Sequence, residues 1–95
     1  MEQILVKVKD GQDISFVGQE VAYGYNDGND VAIRIYETEK GNWITTATSS
    51  EGYLLDHQVV KNKSVSDLVA ILEYTDWAKS IYDQLGIEVT KKLDA

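Results

Sequence analysis

Apolar and polar residues alternate along most of the first half of the chain, and the alternation gives way to helical spacing near Ser64. Over 3–9, Ile4, Val6 and Val8 fall on one side of an extended backbone, with Leu5, Lys7 and Lys9 on the other. This is the two-residue period of a half-buried strand. Asp10-Gly11-Gln12-Asp13 follows as a turn. Beyond it Ile14 and Phe16 share one parity, while Val21, Tyr23 and Tyr25 share the other. A change of phase with Gly18 inside a strand pattern predicts a β-bulge or interruption near that glycine.

Val31, Ile33 and Ile35 oppose Ala32, Arg34 and Tyr36 in the next strand pattern. The stretch 39–42 carries a glycine turn, and the β-branched and aromatic run 43–48 favours a strand. A further, less regular strand is expected over 52–60. Consecutive hairpins of this kind make an antiparallel meander.

From Ser64 the spacing becomes i, i+3, i+4, i+7 through Val65, Leu68, Val69 and Leu72, an amphipathic helix with Ser64 as its N-cap. Thr75 and Asp76 offer a second cap ahead of an apolar face of Trp77, Ile81, Tyr82 and Leu85, and Gly86 suits the stop. The pattern permits one helix over 64–85 or two with a break near Tyr74 and Thr75. Ile87 and Val89 alternate with Glu88 and Thr90, so a last strand is expected over 87–93. The expected fold is α+β: an antiparallel meander of about five or six strands, with one long or two short helices near the C-terminus packed on one face.

The length of 95 residues fits one domain over 1–95, since a chain of this size buries roughly 60–68% of its unfolded surface in one core. No cysteine is present, which removes disulfides, thiolate nucleophiles and sulfur-ligated metals from consideration. The N-terminus lacks the basic head and cleavage site of a signal peptide, and no run approaches the roughly 18–20 apolar residues that span a bilayer. A soluble, cytoplasmic protein with no membrane contact is expected. The formal charge of −7 is spread evenly and repels phosphate backbones, so direct nucleic-acid binding is not expected and cationic partners are favoured.

Candidate chemistry is sparse. Asn26, Asp27, Asn29 and Asp30 crowd around Gly28 like a calcium loop. Counted from Asp27, however, the fifth, sixth and twelfth positions are Val31, Ala32 and Thr38, where an EF-hand needs an oxygen ligand, a glycine and a bidentate glutamate. The stretch therefore reads as a hairpin turn, with Asx-Gly supplying positive φ. His57 is the only histidine, and its neighbour Asp56 points to the opposite face of a strand, so it has no evident orienting acid. The pairs Asp10 with Asp13, Asp27 with Asp30, and Glu37 with Glu39 read as solvated turns and rims. No phosphate loop, cofactor motif, metal site or small-molecule substrate is indicated.

Aromatic residues give the candidate binding site: Arg34 and Tyr36 share one sheet face, and nearby Trp43 completes a contact surface of the kind enriched in interface hot spots. The competing reading has the helix covering that side and Trp43 in the core. The expected activity is non-enzymatic protein–protein interaction, with another protein or a second copy. The alternative is an acidic mimic of nucleic acid, phage or plasmid borne, that inhibits a DNA-processing or defence protein.

The order of FVG (16–18), IYETEKGNW (35–43), SVSDLVAIL (64–72) and TKKLDA (90–95) resembles that of the EXLDI family, small bacterial proteins named for a C-terminal Glu-x-Leu-Asp-Ile. Phe16, Gly18, Tyr36, Thr38, Gly41, Leu93 and Asp94 match its pattern, whereas Lys91 and Ala95 stand in place of its Glu and Ile. The resemblance implies a compact bacterial accessory protein rather than an enzyme fragment and transfers no functional residue.

Overall fold

A computed structural model describes residues 1–94 of the chain; Ala95, the last position of the terminal motif, lies outside the described residues. Five strands form one antiparallel sheet in the order β1-β2-β3-β4-β5: β1 (Glu2–Val6), β2 (Ile14–Asn26), β3 (Val31–Thr38), β4 (Trp43–Ser49) and β5 (Leu54–Val60). Two helices follow, α1 (Val65–Leu72) and α2 (Asp76–Leu85). The α+β meander expected from the alternation is the observed fold.

The helical segment divides in two because each half has its own cap. Ser64 Oγ accepts from the Asp67 N–H at 3.3 Å, and Thr75 Oγ1 accepts from the Ala78 N–H at 3.3 Å. Between them Glu73 sits at φ 60°, ψ −146°, a backbone region costly for any residue but glycine. It is held there by its own N–H on the Val69 carbonyl and by the Tyr82 hydroxyl, which donates to its carbonyl at 2.6 Å.

Two corrections concern β2 and the tail. The phase change lies at Val21, not at Gly18: Glu20 pairs with Tyr36 and Ala22 with Ile35, leaving Val21 as the extra residue. Gly18 has a different role, because a Cβ there would lie 2.5 Å from the Glu37 carbonyl oxygen across the ladder. The strand expected over 87–93 does not form; among the described residues, none after Gly86 pairs in the sheet. Ile87 and Val89 still pack against the core while Glu88 and Thr90 face solvent. Alternating burial needs only an extended backbone, and the nearby β2 edge is already occupied: Gln84 Oε1 accepts from the Tyr23 N–H at 2.9 Å, and Gln84 Nε2 donates to the Tyr23 carbonyl at 2.8 Å.

The helices cover the face that carries Ala22, Ile33, Ile35, Trp43 and Val60, and Leu68, Leu72, Ala78, Ile81 and Tyr82 complete that core. At Gly24 the contact is so close that a Cβ would lie 2.9 Å from Ile81 Cδ1 and 3.0 Å from the Trp77 carbonyl oxygen. The other face is buried without helices. The sheet curls until the chain after β1 meets the start of β5, where the Leu54 N–H donates to the Lys7 carbonyl at 2.8 Å. Val6, Tyr36, Ile44, Thr46 and Thr48 are consequently buried on the inside of the curl.

Candidate functional site

The register places Arg34 on the inner face, opposite Tyr23 on β2 and Thr46 on β4. Its guanidinium is fixed from three directions. Nε lies 3.2 Å from Glu20 Oε1, Nη1 donates to Thr48 Oγ1 at 3.1 Å, and the group stacks over the Tyr23 ring at 5.1 Å from its centroid. The bulge makes this clamp possible. In an unbroken strand Glu20 and Tyr23 would point to opposite faces, and the extra residue at Val21 returns Tyr23 to the face of Glu20.

Above the clamp lies a groove of about 330 Å³, open at the end of the sheet formed by the β2–β3 loop and the β4–β5 turn. Tyr23 and Tyr25, each 41% exposed, form one wall, Ala32 and Arg34 the floor, and Thr48, Ser49 and Ser50 the hydroxyl-rich opposite wall. The volume is at the small end of ligand sites, which run from about 300 to 1,000 Å³. The flanking turns are braced: the Gly28 N–H donates to Asn26 Oδ1 at 3.1 Å, and the Tyr53 N–H donates to Ser49 Oγ at 3.3 Å. In the first of these it is Asp30, at φ 56°, that takes the left-handed conformation expected of the Asx-Gly pair.

The three expected binding residues separate. Arg34 lines the groove. Tyr36 lies on the same face but is 8% exposed, packed edge-on against Phe16 with ring centroids 5.1 Å apart. Burial raises its phenol pKa; the Arg34 charge acts in the opposite direction and the Glu20 charge in the same one. Trp43 is on the helix face and part of the core, 8% exposed, so it shares no surface with Arg34. The pattern gave no means of telling which face the helices cover, nor that curling would bury the other.

The remaining candidates are accounted for locally. Asp13 accepts the Val8 N–H at 2.9 Å and lies 3.4 Å from Lys7 Nζ; the backbone bond chiefly lowers its pKa, desolvation opposes it, and Lys7 adds a lesser lowering. Glu37 pairs with Lys63. Asp56 Oδ1 accepts the His57 backbone N–H at 2.9 Å, so the carboxylate does not orient the imidazole. Among the described residues no group of three or more His, Asp or Glu side chains is placed to hold a metal ion, and no helix is long and apolar enough to cross a membrane.

Residues the pattern did not single out build the site: Glu20, Tyr23 and Thr48 around Arg34, and Gln84, which ties α2 to the Tyr23 backbone. The phase change between Phe16 and Tyr23 was their only trace in the sequence. No family model matches the chain, and no curated protein or solved structure matches it.

Proposed function

We propose that the chain is a bacterial accessory protein that binds another protein through the inner-face groove, without catalysing a reaction. The observation that carries this reading is the clamped Arg34 with Tyr23 and Tyr25 standing exposed beside it. Tyrosines offer a large amphipathic contact area at small conformational cost, and serine and threonine hydroxyls supply adaptable hydrogen bonds, so the groove has the composition of a recognition surface. Arg34, held on three sides, loses little further freedom on binding.

The test compares capture from cells of the source organism by the unaltered chain, by Tyr23→Ala/Tyr25→Ala and by the helix-surface variant Asp76→Asn/Asp83→Asn, with circular dichroism confirming that all three fold. A partner kept by the helix variant and lost by the tyrosine variant supports the reading. Equal capture by all three overturns it.

A second reading, the acidic mimic, draws on the outer layer, where Asp67, Glu73, Asp76 and Asp83 are exposed against Lys79 alone. Asp67 and Asp76 also lie in first helical turns, where a carboxylate stabilises the helix dipole, which explains those two without a partner. If the layer presents phosphate-like charge, the helix variant loses the partner, the tyrosine variant keeps it, and affinity falls steeply with salt.

A further inference from the structure

The groove holds one occupied and one vacant version of the same arrangement. Tyr23 faces Arg34 across the β2–β3 ladder, and its ring carries that guanidinium. Two residues on, Tyr25 faces Ala32 on the same sheet face, with equal exposure but no cation opposite it. The space above Ala32 belongs to the groove, and the two loops that flank it carry acidic residues just beyond its lining: Asp27 and Asp30 in the loop that joins Tyr25 to Ala32, Glu51 in the β4–β5 turn. All three are exposed, and neither loop contains a lysine or arginine. Within the groove lining the one charged side chain is Arg34, whose charge Glu20 already partners.

Resting on the binding role proposed above, we infer that the partner inserts an arginine or lysine side chain over Ala32, against the Tyr25 ring and between the loops that carry Asp27, Asp30 and Glu51. The chemistry repeats that of the Tyr23–Arg34 stack, with the cation supplied from outside. An aromatic face attracts a cation through its quadrupole, and the loop carboxylates add attraction that salt screens. The main chain of the partner segment would lie along Ser49 and Ser50: Ser50 is exposed, and Ser49 Oγ, which accepts the Tyr53 N–H, keeps its own proton to donate, whereas Thr48 is buried and engaged with Arg34. The occupant is therefore a cationic stretch of another protein, in keeping with the net negative charge of the chain.

The experiment uses the full chain, isotopically labelled, and three capped peptides of equal length in which glycine alternates with arginine, with citrulline or with glutamate. Citrulline keeps the shape of arginine and removes its charge. In amide NMR spectra the arginine peptide should shift Tyr25, Ala32, Ser49, Ser50 and Gly52, and the citrulline and glutamate peptides should not. Tyr25→Leu should weaken the arginine peptide about tenfold and Tyr25→Phe should leave it nearly unchanged, since the ring supplies the attraction. Ala32→Arg, which places a cation of the chain itself over the vacant position, should abolish binding, and Asp27→Asn/Asp30→Asn/Glu51→Gln should flatten its salt dependence. Equal binding of citrulline, or shifts confined to α1 and α2, overturns the inference. If a captured partner depends on Tyr23 and Tyr25 yet is indifferent to Ala32→Arg and to neutralising the loop carboxylates, the groove still binds protein and the cationic occupant alone is wrong.

Discussion

Thr46 is 2% exposed, and its Oγ1 has no hydrogen-bond partner among the described residues. It lies on the inner face between Arg34 and His57, and its hydroxyl is the least of the influences on the Tyr36 phenol, acting against the rise that burial causes. A buried polar atom left without a partner costs on the order of 1–3 kcal/mol, whereas an apolar group of the same shape costs nothing of that kind. Valine matches threonine in shape and in strand preference. Thr46→Val should therefore stabilise the protein by about 1 kcal/mol, the lower end of that range. A urea titration that shows a higher midpoint at unchanged slope is the expected result. A loss of stability would mean that the hydroxyl is bonded in solution. The neighbouring Arg34 shows the opposite state, since its partners Glu20, Thr48 and Tyr23 all lie in contact with it.

The union of α2 with β2 depends on one glycine and one glutamine. Gly24 lets the helix backbone approach to 3.0 Å of where a Cβ would stand, and Gln84 then occupies the β2 edge that β1, pairing only as far as Gly18, leaves free. Gly24→Ala would gain strand propensity, but its methyl group would meet Ile81 and the Trp77 carbonyl, so the helix must move outward. The expected cost is about 1–3 kcal/mol in chemical denaturation, accompanied by weaker hydrogen-exchange protection at Tyr23, whose N–H Gln84 covers. A neutral result would place α2 further from the sheet. Much at this scale was legible in the sequence: the hairpin alternation, the cap hydroxyls of Ser64 and Thr75, and the apolar helix stripes all correspond to observed elements. What was not legible depended on which elements meet. Alternation over 87–93 specifies an extended backbone but not a ladder partner. The odd and even faces of β3 both carry apolar residues, so Trp43 in the core and Tyr36 inside the curl become distinguishable only once the helices and the sheet curvature are known. The groove was hidden for the same reason: Tyr23, Arg34 and Ser50 converge through register, not through sequence spacing.

At the scale of the molecule, one sheet separates two buried layers, and each holds a tyrosine whose pKa burial raises: Tyr36 inside the curl and Tyr82 beneath the helices, the latter also pushed up by Tyr74 and Glu73. Because the folded state holds the neutral phenol, the unfolded chain releases its proton first, near the ordinary tyrosine value of about 10. The contribution of each group to stability is thus complete below that pH and is lost as pH rises from there towards the folded value. Both tryptophans, Trp43 and Trp77, pack in the helix-side layer, so tryptophan fluorescence reports that layer alone. If the two layers unfold as one, Tyr36→Phe, a change in the other layer, should flatten the alkaline fall in stability seen by fluorescence, and Tyr82→Phe should flatten it as well. The slope with pH is the quantity to compare, because Tyr82→Phe also removes the hydroxyl bond to Glu73 and lowers stability at every pH. A Tyr36→Phe slope identical to that of the unaltered chain, with Tyr82→Phe changed, would mean that the curl opens independently of the helices. In that case the groove could lose its shape while the core stayed intact, and partner binding would fail at a lower pH than folding does.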